Sequence, residues 1–212
     1  MKKLLIVAVI LILAATSANA KVIFGLRGGM NNTTLGGDDA PEEIESRIGS
    51  HAGLMLQIWT GRSFLLQPEL LYSQRGTYRE YLESDLIAIE NTNAFDYVEL
   101  PLLLKLNLNI RGTQLQPYVG PEARYLISAE SETVTTTTIG DNTESDTDTK
   151  DIDNMKDLDY GFCAGLDIEL FGDLLIGARY NTGLANVHTP REDEAEPDIQ
   201  NRGLMLTLAL SF

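Results

Sequence analysis

Apolar and polar residues alternate with a period of two along most of this chain. The alternation is cleanest at the end, from Asn201 to Phe212. Leu204, Leu206, Leu208, Leu210 and Phe212 share one parity, and Gly203, Met205, Thr207, Ala209 and Ser211 share the other. Successive side chains of a strand point to opposite faces, so this segment reads as a β-strand with one oily and one small or mildly polar face. The same signature predicts seven earlier strands: Lys21 to Asn31, Gly49 to Trp59, Phe64 to Thr77, Ala94 to Asn109, Leu115 to Ala129, Leu158 to Leu170 and Leu174 to Val187. Pro68 weakens the third locally, because proline donates nothing to a ladder.

The connections alternate in length. Thr60–Ser63, Arg111–Thr113 and Phe171–Asp173 are tight turns. Polar stretches follow the first strand and fill Tyr78–Asn93, Glu130–Lys156 and the segment from His188 to Gln200. An even strand number with short turns at one end describes an all-β, eight-stranded antiparallel up-and-down transmembrane β-barrel. It has four long extracellular loops and three short periplasmic turns, with the N-terminus on the periplasmic side. The segment Glu130–Lys156 is threonine-rich and acidic, a mobile low-complexity loop in which VTTTT could extend the wall outward as a hairpin.

Residues 1–20 read as a cleaved signal peptide: Lys2 and Lys3, the apolar run Leu4 to Ala15, then Ala18-Asn19-Ala20 before Lys21. Residues 21–212 then form one barrel domain in an outer membrane. The lone cysteine, Cys163, cannot pair within the chain and reads as small packing. Loss of Lys2 and Lys3 takes the formal charge from -15 to -17. The four long connections hold 22 of the 31 acids and only 5 of the 16 bases. Such acidity excludes nucleic acid as a partner.

Charge inside the strands sorts by parity. The acids Glu69, Glu99, Glu122, Asp167 and Glu169 and the bases Arg27, Arg75, Lys105, Arg124 and Arg179 fall on the face opposite the oily one. A lysine or arginine facing lipid at mid-depth costs about 2–4 kcal/mol, so these ten belong to the lumen as a charge network. A barrel of eight strands is narrow enough for side chains to fill. The lumen is therefore a packed polar core. A soluble barrel of lipocalin type would instead keep its polar face outward.

Candidate chemistry is sparse. Ser50-His51 could serve an interfacial lipid-modifying enzyme only if nucleophile and base meet, but His51 points inward and His188 lies in a connection. The acids Asp146, Asp148, Asp151 and Asp153 could bind calcium, yet they lack the glycine and closing glutamate of an EF-hand loop. Glu69 and Glu99, beside Pro68 and Pro101, read as salt-bridge positions.

The segments GLRGGMNNT, LQPELLYSQRG, DYVELPLLLKLNL, QPYVGPEARYLIS, YGFCAGLDIEL and LLIGARYNTGLANV, with the closing aromatic, resemble the PorT-like outer-membrane β-barrel family over nearly the whole mature chain. The resemblance implies an outer-membrane barrel, some members assisting protein secretion, with no family active site and no cofactor. The expected role is non-enzymatic: structural, adhesive or accessory to envelope or secretion machinery, with a narrow passive channel as the alternative. Expected partners are outer-membrane lipid and surface glycolipid, the barrel-assembly machinery through the C-terminal strand, and an envelope protein.

Overall fold

The computed structural model describes residues 21–41, 44–61, 63–84, 86–140, 142–189 and 197–212. The expected signal peptide, residues 1–20, lies outside them. The described residues form ten strands: β1 (Lys21–Gly36), β2 (Glu45–Trp59), β3 (Phe64–Ser84), β4 (Ile87–Leu106), β5 (Leu108–Ile110), β6 (Thr113–Ile139), β7 (Asn142–Asp151), β8 (Leu158–Leu170), β9 (Leu174–Gly183) and β10 (Gln200–Ser211).

Eight of them close a ring. β1 pairs with β2 on one side, Lys21 opposite Trp59, and with β10 on the other, Gly25 opposite Ser211. Around the ring the order is β1, β2, β3, β4, β6, β8, β9, β10, every pairing antiparallel. β5 continues β4 past Asn107, and β7 pairs with β6 outside the ring. Closure leaves no unpaired backbone edge to face hydrocarbon. Pairing of β2 with β3 jumps from Met55–Glu69 to Ile58–Leu66, across the position of Pro68.

The short turns have the backbone their sequences require. Arg111 (φ 55°) and Gly112 (φ 88°) form the two-residue link between Ile110 and Thr113. Two consecutive positive φ values match the right-handed twist of the flanking strands. Phe171 (φ 56°) and Gly172 (φ 85°), with Asp173, form the three-residue link between Leu170 and Leu174.

Two connections differ from the sequence expectation. Tyr78–Asn93 is a paired hairpin, not an unpaired polar link: Tyr78 lies opposite Thr92, and Leu82 opposite Ala88. Glu130–Asp151 is a second hairpin, in which β6 continues to Ile139 and β7 returns along it, Glu130 opposite Asp151 and Ile139 opposite Asn142. VTTTT does extend the wall, and β-branched threonine favours the pleated ladder even where both faces meet water. Charge had hidden the first hairpin, and left the second only as an option at VTTTT, by removing the oily face that makes a strand visible. At the ends, β1 runs on to Gly36, while β9 stops at Gly183 and not at Val187.

β6 leaves β8 at Tyr125–Leu158 and takes up β7 instead. At the same level Ile127 is an extra residue, between the pairs Tyr97–Leu126 and Asp96–Ser128. Such a bulge re-aims the strand. The result is a four-stranded sheet, β3-β4-β6-β7, that continues beyond the ring at the end opposite the short turns. On the barrel exterior, Leu26, Leu54, Leu104, Val119, Leu206 and Leu208 are each more than half exposed, as lipid contact requires. Tyr72, Tyr125, Tyr160 and Tyr180 stand exposed near the hairpin end, and the Tyr72 hydroxyl donates to Asp96 at 2.8 Å. Amphipathic rings suit a headgroup level.

Candidate functional site: the charged lumen and its cap

The inward parity of the strands delivers one ionic side chain after another to a space that water barely enters. Five cations, Arg27, Arg75, Lys105, Arg124 and Arg179, and five anions, Glu69, Glu99, Glu122, Asp159 and Asp167, are each at most 4 % exposed. Asp159 was missed in the sequence, although it shares the parity of Gly161 and Cys163, because it sits near the start of its strand. Glu169 is only partly buried. It lies at the short-turn rim, where Gln114 Nε2 (3.1 Å) and Gln116 Nε2 (3.2 Å) donate to its carboxylate. The buried charges still balance, with Asp159 in the place assigned to Glu169.

Three groupings emerge. Arg27 makes a two-pronged contact with Asp167, Nη1 to Oδ2 at 2.9 Å and Nη2 to Oδ1 at 3.1 Å. It also lies 3.3 Å from Glu69, which takes a second guanidinium from Arg179 at 2.7 Å. Lys105 donates to Asp167. Arg75 Nε meets Glu99 at 2.6 Å. Arg124 bridges Glu122 and Asp159, and Asn181 donates to Glu122 at 2.5 Å. The first group carries one excess cation and the third one excess anion, so neutrality is reached only across the whole lumen.

Tyr118 is the hub of the first group, a role the sequence reading did not give it. Its ring centroid lies 4.9 Å from Lys105 Nζ, 5.4 Å from Arg179 and 6.0 Å from Arg27. Its hydroxyl accepts from Arg179 Nε at 3.3 Å and Arg27 Nη2 at 3.4 Å. An aromatic face attracts desolvated cations, so the ring separates three like charges and supplies part of their stabilisation. Glycine makes the room. A Cβ on Gly165 would fall 2.5 Å from the Tyr118 hydroxyl, and one on Gly177 would fall 1.9 Å from Asp167 Oδ1.

The other singled-out residues are placed away from any nucleophile–base arrangement. His51 is buried, its Nδ1 2.5 Å from Asn31 Oδ1 and its Nε2 3.2 Å from Thr207 Oγ1. Ser50 points to the other face, where its hydroxyl donates to Gln74. Cys163 is buried and packs with Leu103 and Tyr118, its thiol directed at the Gly120 carbonyl. Asp146 and Asp148 lie along one face of the extended β7, with Asp151 on the other. Among the described residues no group of three His, Cys, Asp or Glu side chains could hold a metal ion.

Above the charged layers the lumen is closed by an apolar cap. Phe95 and Tyr97 of β4 pack with Met155, Val187 and Ile199 from the β7–β8 and β9–β10 connections, all buried. Backbone bonds hold these connections in place: Lys156 N donates to the Val187 carbonyl at 2.8 Å and Val187 N to the Ile199 carbonyl at 2.9 Å.

A closed antiparallel ring with an oily exterior, a neutralised ionic lumen and an apolar cap defines an outer-membrane β-barrel protein. The chain belongs to the outer membrane protein beta-barrel domain family, matched over residues 15–189. It is similar in structure to Ail, the attachment invasion locus protein of Yersinia pestis, at 14 % identity and TM-score 0.43, covering 91 % of this chain and 99 % of that one. It is also similar to Neisserial surface protein A (14 % identity, TM-score 0.44, covering 89 % of this chain and 97 % of that chain). A third likeness is to the outer membrane protein OprG of Pseudomonas aeruginosa (11 % identity, TM-score 0.41, covering 91 % and 97 %). No curated protein matches the chain.

Proposed function

We propose that this protein is a non-conducting, non-enzymatic outer-membrane barrel that holds an acidic four-stranded sheet outside the cell, as an adhesive or accessory part of envelope or secretion machinery. The observation that carries the reading is the β3-β4-β6-β7 sheet. The ring ends, but these strands continue, and their exposed acids Glu80, Glu90, Glu130, Glu132, Glu144 and Asp146 make it a strongly charged surface. A barrel serving only as a membrane plug would need no such continuation. The filled lumen supports a scaffold in preference to a conduit.

In this reading residues 1–20 are removed on export, the N-terminus and the short turns are periplasmic, and the hairpins face outward. Membership of the narrower PorT-like group, suggested by segments such as QPYVGPEARYLIS, fits an accessory role in secretion. The immediate surroundings are outer-membrane lipid and surface glycolipid. The C-terminal strand engages the barrel-assembly machinery during insertion, and an envelope protein binds the outer sheet.

Cys163 is buried, so the wild-type protein is silent to a membrane-impermeant maleimide, and single cysteines can report topology. Thr147→Cys, on the exposed β7, should be labelled in intact cells, and Ser63→Cys, at a short turn, only after the outer membrane is opened. The opposite order would invert the topology. Photo-cross-linking from the same Thr147 position should then capture a discrete envelope protein. Capture of lipid alone at every position of the sheet would rule out the accessory role.

A further inference from the structure

The outer sheet leaves one edge of its backbone open. β7 pairs with β6 and, among the described residues, with nothing on its other side, and all ten of its residues are exposed. The phase of that edge follows from a single bond. Ile152 N donates to the Ala129 carbonyl at 2.9 Å, in the register that sets Glu130 opposite Asp151. Bonded and non-bonded pairs alternate along an antiparallel ladder. Asn142, Glu144, Asp146, Asp148 and Lys150 are therefore tied to β6, while Thr143, Ser145, Thr147, Thr149 and Asp151 turn their N–H and C=O groups to the open side.

Side chains follow the same alternation. Glu144, Asp146, Asp148 and Lys150 stand on one face, and Thr143, Ser145, Thr147 and Thr149 on the other. On β6 the residues opposite the three acids are Thr137, Thr135 and Thr133, so that strand supplies no cation to them. Lys150 contacts Asp148, but the two side chains remain 75 % and 60 % exposed, which leaves Asp148 open. Among the described residues no cation reaches Glu144 or Asp146.

A strand edge with unpaired backbone groups is a template for another strand. The acids decide which strand fits. Antiparallel addition places the new residues opposite Glu144, Asp146 and Asp148 in non-hydrogen-bonded pairs, with Cα atoms roughly 4.5 Å apart, where side chains approach most closely. Opposite charges so placed attract, and like charges repel. A second copy of β7, turned about Asp146, would set Asp146 against itself and Glu144 against Asp148, so self-pairing is refused. Building on the accessory role of the outer sheet, we propose that β7 is the docking edge for an extended cationic segment of the envelope protein partner. That segment carries lysine or arginine at three alternate positions and joins β3-β4-β6-β7 as a further strand. The ladder supplies affinity for a strand, and the acids select the cationic one.

The test reads amide exchange by NMR in the folded barrel, held in lipid nanodiscs, with the synthetic peptide TETKTKTKTT as probe. Aligned antiparallel from Asp151 to Asn142, its lysines fall opposite Asp148, Asp146 and Glu144, and its glutamate opposite Lys150. At ten times Kd, exchange at Thr143, Ser145, Thr147 and Thr149 should slow about tenfold. The amides of Glu144, Asp146 and Asp148, already bonded to β6, should not change. The isomer TKTTKTTKTE spaces its lysines three apart, which alternates their faces, and should bind roughly three- to tenfold more weakly. N-methylation of the probe's fifth and seventh residues, whose N–H groups face Thr147 and Ser145, should abolish protection. At the fourth and sixth residues it should be tolerated. Asp146→Lys, on an exposed strand, should transfer the preference to TETKTETKTT, whose sixth residue is glutamate. Three results would each overturn the docking edge while the outer sheet stands: alternating exchange along β7 that no peptide slows, equal binding of the isomer or of the probe methylated at its fifth and seventh residues, or an unchanged preference in Asp146→Lys. Uniformly fast exchange along β7 without peptide would overturn both.

Discussion

Arg124 is held between Glu122 and Asp159 with its side chain fully buried. Its neighbour Ala123 points the other way, toward lipid. Arg124→Met leaves two carboxylates unpaired in a poorly solvated lumen, and breaking a buried pair typically costs about 3–5 kcal/mol. Ala123→Leu adds bulk where lipid yields, and should be close to neutral. Urea unfolding of the liposome-folded variants checks both, and greater damage from Ala123→Leu would reverse the faces of β6. Gly177→Ala, placing a methyl against a carboxylate already tied to Arg27 and Lys105, should cost about 1–3 kcal/mol by overpacking, read from the same transitions. A neutral Gly177→Ala would mean that Asp167 has room to move. At this scale parity was legible but pairing was not. The alternation located Arg124, Asp167 and Glu69 on one face, while their partners depend on stagger around the ring, which no local pattern records. Tyr118 was invisible as a hub for the same reason, since its three cations come from β1, β4 and β9.

β7 is exposed at every residue and pairs on only one side, with β6. Its acids Glu144, Asp146 and Asp148 act as charges on an open strand edge, which discourage pairing between molecules. In an antiparallel edge strand, residues alternate between hydrogen-bonded and non-hydrogen-bonded positions. Amide exchange of β7 should therefore alternate, slow then fast, along Asn142–Asp151. Uniformly fast exchange would show that the hairpin does not hold in solution. The strands inside the membrane were legible because lipid demands an oily face on each of them. The hairpins beyond it were legible only as an option at VTTTT, since a strand with water on both sides needs only β-branched residues and a ladder, and threonine among acids looks the same in a loop. The tight turns were readable in advance, because Arg111-Gly112 and Phe171-Gly172 each supply a glycine for a positive φ.

At the level of the molecule, closure follows from an even set of amphipathic strands whose first and last members meet, β1 to β10. A closed ring has no edge at which to unzip, so the folded protein should migrate anomalously on an unheated denaturing gel and shift on boiling. Identical mobility before and after heating would count against closure. The apolar cap could not be foreseen. Met155 and Ile199 are lone hydrophobic residues in polar stretches, Phe95 and Val187 stand at the ends of predicted strands, and only the folded ring brings the four over one lumen. On the proposed reading, the cap and the ten buried charges beneath it leave the barrel without a continuous water path. Conductance of the purified wild-type protein in planar bilayers addresses this directly. The structure predicts no unitary current steps at neutral pH in molar potassium chloride. Stable, voltage-independent open channels from the wild-type protein would contradict it.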